Sequence, residues 1–229
     1  IDMDAVEESN LQRQILYTVE DIGTNKALAA QKRLLALNPL IEVLAYSYAL
    51  DTSNALELFE QYDLVVDGSD NFATRYLVND ACVITGKPLI YGSIFKFEGQ
   101  VAVFNYENGP SYRCLFPNPP APGEVPNCSE VGVLGVLPGV IGAMQANEVL
   151  KIILGLGNVL SEKLLVYNAL NAESMILTIK RNPSVIKETK ALKTKFKTMN
   201  YEAFCGLEKS IKIAEISAKS LAENLEKYA

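Results

Sequence analysis

The chain has 229 residues, of which 49% are hydrophobic and 21% are charged, so it can bury one sizeable core and is too apolar to stay disordered. Its 27 acidic residues exceed its 21 basic residues and give a net charge of −6, which argues against a general nucleic-acid binder. Histidine is absent, which excludes Ser-His-Asp hydrolysis, imidazole metal sites and a histidine general base. Any chemistry must therefore use Asp, Glu, Lys, Arg, Cys or Tyr.

The cysteines and the most apolar stretch indicate the compartment. Cys82, Cys114, Cys128 and Cys205 show no CxxC spacing, and no apolar leader with a cleavage site precedes them. We therefore expect reduced thiols in a cytoplasmic protein. The most apolar stretch, residues 131–144, is interrupted by a proline and is shorter than the roughly 18 residues of a membrane-spanning helix. A buried core helix and no membrane contact are expected.

Strand and helix patterns alternate along the first half of the chain. Residues 1–4 indicate the end of a strand, and an apolar stripe predicts a helix over 24–37 with Thr24 as its N-cap. The further predicted elements are strands at 41–48, 63–67, 88–92 and 100–106, and helices at 53–61 and 71–85. This alternation predicts right-handed βαβ units and parallel strand pairing.

The second half of the chain begins with a loop, residues 108–130, which contains six prolines. Loops of this length are usually functional or mobile. A helix is predicted at 139–154, followed by a hairpin of strands at 163–169 and 174–180. We therefore predict an α/β fold with a Rossmann-like, doubly wound mixed sheet, mostly parallel, with antiparallel strands added at the C-terminal side.

The composition changes after Pro183. Residues 187–197 contain five lysines and one glutamate, a pattern typical of a solvated linker. The last residues combine a strand-like run with helical spacing but are too few to fold alone. We therefore predict a domain at 1–183, a linker at 184–210 and the start of a further domain at 211–229.

Three polar segments are candidates for chemistry, because ligands bind at the carboxyl ends of strands in open parallel sheets. Asp2 and Asp4 follow the first strand, where an acid commonly binds ribose hydroxyls. Residues 67–71 place carboxylates beside helix amides, which suits Mg²⁺ with phosphate oxygens, although Asp and Ser are also ordinary in a helix-capping turn. Residues 9–14 form a dense polar cluster with a guanidinium that could equally be a solvated loop.

Together these segments resemble the MoeB/ThiF/HesA family, the bacterial relatives of ubiquitin-activating enzymes. The resemblance rests on IDMD at 1–4, ESNLQRQ at 8–14, GTNK at 23–26, DGSDNFATR at 67–75, EGQ at 98–100, YRCLFP at 112–117, and residues 132–142 with Gln145 and Glu148. It covers about residues 1–183, and SNLQRQ and DGSDN together make it highly specific.

The resemblance implies ATP- and Mg²⁺-dependent adenylylation of the C-terminal glycine of a ubiquitin-like sulfur carrier in molybdopterin or thiamine biosynthesis, with release of pyrophosphate. It also implies a carrier ending in Gly-Gly and a homodimer. Asp2 would hold the ribose, and Asp70 would bind magnesium. The residues expected at the nucleotide are Asp2, Ser9, Asn10, Gln12, Arg13, Lys26, Asp70 and Asn71. Those expected to act in catalysis are Arg13, Lys26, Asp70 and Cys128.

The sequence departs from the family pattern at several points. The family's glycine-rich turn is absent from the chain as numbered, so phosphate cradling by backbone amides is lost, which could leave this chain inactive. Of the family's paired zinc cysteines only Cys114 remains, and one thiolate cannot build a tetrahedral site, so no zinc is predicted. Cys128 stands where some relatives carry a cysteine that links to the carrier, and an inert loop thiol is the equal alternative. Residues 211–229 resemble the first elements of a rhodanese domain.

Two other functions are weighed against this one. A catalytically inactive carrier-binding scaffold is favoured by the missing glycine-rich turn and the missing zinc cysteines. A Rossmann dehydrogenase would share the aspartate after the first strand but leaves Asn10, Arg13, Lys26 and Asp70 unexplained as a set. The identity of the carrier stays open.

Overall fold

The structure is a computed structural model that describes residues 1–121, 124 and 132–207. The helices of this described part are α1 (Lys26–Leu37), α2 (Ala55–Glu60), α3 (Phe72–Thr85), α4 (Tyr112–Leu115), α5 (Leu137–Leu154), α6 (Pro183–Ala191) and α7 (Tyr201–Phe204). Its strands are β1 (Val65–Asp67), β2 (Leu89–Phe95), β3 (Glu98–Phe104), β4 (Lys163–Asn168) and β5 (Glu173–Thr178). Short 3-10 turns lie at Glu8–Asn10, Val19–Asp21, Leu192–Thr194 and Phe196–Thr198.

The five strands form one mixed sheet in the order β1-β2-β3-β4-β5. β1 pairs in parallel with β2, and the three pairings that follow are antiparallel. The predicted α/β fold with a mixed sheet and an antiparallel C-terminal side is confirmed, although the described strands contain a single parallel pairing. Segments 1–4 and 41–48, predicted as strands, are joined by one hydrogen bond from Asp2 N–H to Tyr46 O (3.0 Å) and form no strand of this sheet.

Helix α3 covers one face of the sheet and forms the centre of the main core. Asn71 Oδ1 caps its first turn by accepting from Thr74 N–H (2.8 Å), and Gly86 ends it in the left-handed conformation at φ 74°. Its buried aromatic and apolar side chains pack on Leu89, Tyr91 and Phe104 of the sheet. This packing fixes the start of α3 next to the end of β1, where the predicted magnesium loop lies.

Helix α5 covers the opposite face of the sheet. Leu137 and Ile141 pack on Val101 of β3, and a Cβ at Gly99 would overlap the Ile141 side chain. By length and hydropathy, α5 is the one helix among the described residues that could cross a membrane, and about one in five of its residues is buried. Its inner stripe packs on β2 and β3, but Leu150, Ile153 and Leu154 are exposed, so α5 is only partly buried and not the buried core helix that was predicted.

The chain after β5 packs back on α3. The lysines of residues 187–197 are exposed, whereas Ile186, Thr189 and Phe196 between them are buried, as is Tyr201 further on. Up to residue 207 this stretch is therefore part of the folded domain, contrary to the solvated linker that its lysine content predicted. The predicted start of a further domain, 211–229, lies outside the described residues.

Candidate functional site

The loop after β1 is held by two buried side chains, Asp67 and Arg75, that both hydrogen-bond the backbone of Ser69. We call this pair of hydrogen bonds the grip on Ser69. Asp67 Oδ1 accepts a hydrogen bond from Ser69 N–H (2.8 Å), and Arg75 Nη2 donates one to Ser69 O (3.1 Å). Asp67 ends β1, and Arg75 lies in the first turns of α3, so a strand and a helix both hold this short loop. The Arg75 guanidinium lies 5.7 Å from the ring centroids of both Phe72 and Tyr91.

Gln145 of α5 joins the end of β1 to the start of its parallel neighbour β2. Its Nε2 donates to Asp67 O (2.8 Å) and to Ile90 O (3.2 Å), which belong to β1 and β2. A side chain at Gly92 would overlap the Gln145 carboxamide, so glycine is required there for this close approach. Through Gln145, helix α5 thus supports the residue before the loop from the face of the sheet opposite α3.

Several polar atoms of this loop are buried without satisfying their hydrogen-bonding capacity. Asp67 Oδ2, Ser69 Oγ and Arg75 Nε have no hydrogen-bond partner among the described residues. Burial raises the pKa of Asp67, while its contacts with Ser69 and the charge of Arg75 oppose that rise. Unpaired buried polar atoms cost about 1–3 kcal/mol each, so they are unusual in a loop that serves only to cap a helix.

Asp70 and Asn71 follow Ser69, and they differ in whether their side-chain oxygens are free to bind a ligand. The Asn71 side-chain oxygen is occupied by its capping bond to Thr74 N–H. The Asp70 side chain is exposed and lies at the start of α3, so its carboxylate is free to meet a cation from solvent. One carboxylate together with phosphate oxygens is a normal set of ligands for Mg²⁺.

A second polar group gathers residues from the start of the chain and from α1. Asn25, not the predicted Thr24, is the N-cap of α1, because its Oδ1 accepts from the N–H groups of the first turn. The Asn25 Nδ2 donates to Asp2 O (2.9 Å) and Asp4 O (3.1 Å), and Lys26 Nζ lies 3.2 Å from Asp4 Oδ2. The start of α1 is thus joined to the segment that carries Asp2 and Asp4, and the ribose and phosphate contacts of Asp2 and Lys26 stay predictions.

The polar cluster at residues 9–14 forms a compact turn. Asn10 is buried and accepts a bond from Glu7 N–H (3.1 Å), so its carboxamide oxygen shapes the turn. The Arg13 guanidinium donates through Nη1 to Ser9 O (3.1 Å). Gln12 lies against Gly135, where an added Cβ would come within 2.6 Å of Gln12 O. This turn therefore contacts the segment that leads into α5.

The predicted site residues lie in three groups: the loop after β1, the start of the chain with α1, and the turn at residues 9–14. Within the described part of the chain, no hydrogen bond or ion pair joins Asp70 to Asp2, Asn10, Arg13 or Lys26. Their common role in one nucleotide site stays a prediction. Cys128 lies outside the described residues.

Four residues that hold the loop after β1 belong to the motifs of the resemblance, but the sequence did not assign them a place in the site. They are Asp67, Ser69, Arg75 and Gln145. Their residue types fit the motif, but what identifies them is burial and pairing across 6 to 78 positions of the chain.

In the region where the family has its zinc cysteines, the Cys114 sulfur accepts hydrogen bonds from two backbone amides. Cys114 Sγ accepts from Ser111 N–H and from Asn182 N–H, both at 3.4 Å. The contact ties α4 to the N-cap of α6, so the start of the proline-rich loop is tethered. No group of three potential metal-ligating side chains occurs among the described residues, and the lack of zinc stays a prediction.

A parallel β1-β2 pair, helices on both faces and a polar loop at the strand end define a Rossmann-like nucleotide-binding architecture. The ThiF family model matches residues 1–187, so the chain belongs to the ThiF family. The fold also matches the crystal structure of E. coli MccB with ATP, with a TM-score of 0.67, 20% identity, and coverage of 80% of this chain and 55% of that one.

Curated relatives agree with this assignment. The sulfur carrier protein adenylyltransferase of Thermus thermophilus is 57% identical over 214 residues, which are 90% of this chain and 78% of that protein. The probable adenylyltransferase/sulfurtransferase MoeZ of Mycobacterium tuberculosis is 47% identical over 90% of this chain and 52% of that protein. The chain thus spans about half the length of the second relative.

Proposed function

We propose that this protein uses ATP to adenylylate the C-terminal glycine of a ubiquitin-like sulfur carrier ending in Gly-Gly, in molybdopterin or thiamine biosynthesis. The observation that carries the proposal is the high identity, across nine tenths of this chain, to a protein named for that activity. In the reaction, a carboxylate oxygen of the carrier forms a bond to the α-phosphorus of ATP. The bond from that phosphorus to the bridging oxygen of the β-phosphate breaks, and pyrophosphate leaves with the electron pair.

The side chains suit this chemistry because it needs charge stabilisation and no proton-transfer base. Asp70 is the residue we assign to Mg²⁺, which would neutralise charge on the phosphate oxygens. Arg13 uses Nη1 to hold Ser9 O, which leaves other N–H groups of its planar fork for phosphate. Asp2 is assigned to the ribose, with Ser9, Asn10 and Gln12 supporting the turn around the nucleotide.

Lys26 must exchange partners if it is to bind phosphate. Its ammonium is paired with Asp4, whose side chain is 59% exposed. Exposed ion pairs contribute about 0–1 kcal/mol, so a phosphate group could replace the Asp4 carboxylate at little cost. The Lys26 side chain itself is 13% exposed, which holds its charge in place for that exchange.

Three further features belong to the proposal. We assign the protein to the cytoplasm and to a homodimer, as the family resemblance implies. Whether Cys128 forms a covalent link to the carrier is left to direct measurement.

The test is ATP–pyrophosphate exchange by the full-length protein with purified carriers that end in Gly-Gly, and mass spectrometry of the carrier. We expect carrier-dependent exchange and a mass increase equal to one AMP, both lost with carriers that lack the terminal Gly-Gly. A carrier that binds tightly and supports no exchange would favour a carrier-binding scaffold instead.

A further inference from the structure

We propose that Asp67 and Arg75 are positioning residues that hold the Ser69 backbone and thereby orient the neighbouring Asp70 carboxylate for its metal. The proposal rests on the proposed function, because Asp70 has a metal to bind only if the protein uses a magnesium nucleotide. It assigns a task to two buried charges that the predicted site did not include.

The first step of the argument is the geometry at Ser69. Asp67 holds the Ser69 N–H, and Arg75 holds the Ser69 C=O, so both backbone polar groups of one residue are fixed by charged side chains. That carbonyl belongs to the peptide group joining Ser69 to Asp70. Arg75 therefore fixes the peptide plane from which the Asp70 Cα extends, and hydrogen bonds that involve charged groups are the stronger kind.

The second step is that Asp67 and Arg75 are themselves buried and in contact with neighbouring groups. Arg75 is 9% exposed and lies near the Phe72 and Tyr91 rings. Asp67 is 4% exposed, and its own carbonyl is held by Gln145 from the other side of the sheet. The Asp70 side chain is exposed, so packing does not orient its carboxylate. Its orientation must come from the backbone that Asp67 and Arg75 hold in place.

The third step is the chemistry of the atoms left over. Asp67 Oδ2 and Ser69 Oγ are acceptors, and Arg75 Nε is a donor, all buried and without partners in the described chain. Mg²⁺ usually keeps several of its waters, and the groups that hold such waters and ligands tune metal affinity. These buried atoms are therefore available to the waters and ligands around a metal at Asp70.

The experiment measures Mn²⁺ binding, by electron paramagnetic resonance with ATP present, in the full-length protein, alongside the unfolding temperature without ligand. Arg75→Met and Asp67→Ala each remove one side of the grip, and we expect Mn²⁺ affinity to fall by roughly 10- to 100-fold. Asp67→Asn keeps an oxygen that can accept from Ser69 N–H, so its affinity should stay close to that of the native protein.

Arg113→Met is the matched control, because Arg113 is a partly buried, hydrogen-bonded arginine in the same domain with no hydrogen bond to the loop after β1. It should lower the unfolding temperature and leave Mn²⁺ affinity unchanged at a temperature where it is folded. If Arg75→Met does not fold, Arg75→Lys keeps the charge and loses the fork, and it should weaken Mn²⁺ binding while remaining folded.

The outcomes separate this inference from the proposed function. No Mn²⁺–ATP binding by the native protein would overturn the proposed function itself. The positioning role would be overturned if the Asp67 and Arg75 variants kept the native Mn²⁺ affinity, or if Arg113→Met lost as much affinity as they do. Loss of binding in Asp67→Ala with recovery in Asp67→Asn would support it.

Discussion

Helix α3 contributes to two polar sites that contain an arginine, one in its first turns and one in its second half. The two sites differ in how many of their polar atoms have hydrogen-bond partners. In the second half, the Asp80 carboxylate accepts from Arg113 Nε (2.7 Å) and Nη2 (2.8 Å), from Tyr201 O–H (2.8 Å) and from Asn79 Nδ2 (2.8 Å). In the first turns, Arg75 grips Ser69 O but leaves Nε unpaired.

The difference distinguishes a site that is complete within the protein from one whose buried polar atoms would gain partners from the proposed ligand. The Arg113 guanidinium lies 4.7 Å from the centroids of both the Tyr76 and Phe204 rings, so it is satisfied on its faces as well as its edge. That site joins α4 and α7 to α3 and needs nothing more. At the loop beside Arg75, two oxygens and one N–H group are buried without hydrogen-bond partners in the described chain, which destabilises the fold. A ligand that hydrogen-bonds them would offset that loss.

Removing Arg113 should have the largest effect on stability. Arg113→Met leaves the Asp80 carboxylate buried without its cation, and breaking a buried pair in this way costs about 3–5 kcal/mol. Urea unfolding of the variant and the native protein measures the change. Arg33→Met, an exposed arginine on α1, is the control and should stay within roughly 0.5 kcal/mol. A small loss for Arg113→Met would mean that the second half of α3 does not depend on this pair.

Asp70→Asn should show the reverse pattern, with activity lost and stability kept. The exposed carboxylate supports no packing, so the unfolding free energy should change little. Loss of a charge that stabilises the transition state should lower ATP–pyrophosphate exchange by roughly 100- to 1,000-fold. Exchange rates and urea unfolding on the same preparations provide the two readings. Exchange near the native rate would leave residues 67–71 as a helix cap.

Arg13→Lys should produce a smaller loss of activity. Lysine keeps the charge but not the planar fork, so one charge-assisted hydrogen bond to phosphate is lost, worth about 1.5–3 kcal/mol, or roughly 10- to 100-fold in kcat/KM. Thermal unfolding controls for the bond to Ser9 O, which lysine can still make. Equal losses of stability and activity would assign Arg13 to the turn rather than to the nucleotide.

The parts of the fold that could be predicted are those whose signal is local. The helix Phe72–Thr85 follows from its apolar pattern and from Asn71, and the β4–β5 hairpin follows from two apolar runs. Residues 184–207 could not be predicted, because their lysines dominate the composition while Phe196 and Tyr201 reach the core. Burial depends on which surface of the domain a segment meets, and composition does not encode that.

The same limit applies to the site. Asp2, Lys26 and Asp70 could be proposed from motifs, since each stands next to a strand or helix end. The grip on Ser69 depends on Arg75 rotating back toward the loop and on Gln145 reaching from 78 positions away. Cys114 binding Asn182 N–H is equally remote in sequence. Contacts of this kind follow from packing of the finished fold.

Asp67→Asn should give the smallest effect, and its sign depends on pH. Because burial raises the pKa of Asp67 above 3.8, the folded state holds this proton more tightly than the unfolded state. The group therefore favours folding below pH 3.8, and that contribution is lost as pH rises through the folded pKa. Asparagine cannot titrate, so the stability of the variant relative to the native protein should increase with rising pH across this window.

Asp51→Asn is the control with the opposite sign. Hydrogen bonds from Ser53 lower the pKa of the exposed Asp51, so its contribution to stability is present above the unfolded pKa and is lost as pH falls. Relative to the native protein, this variant should become less stable as pH rises through the acid range. Urea unfolding of all three proteins from about pH 3 to pH 7 measures both slopes. Two slopes of the same sign would mean that Asp67 is solvated, and the contrast between the two halves of α3 would lose its electrostatic basis.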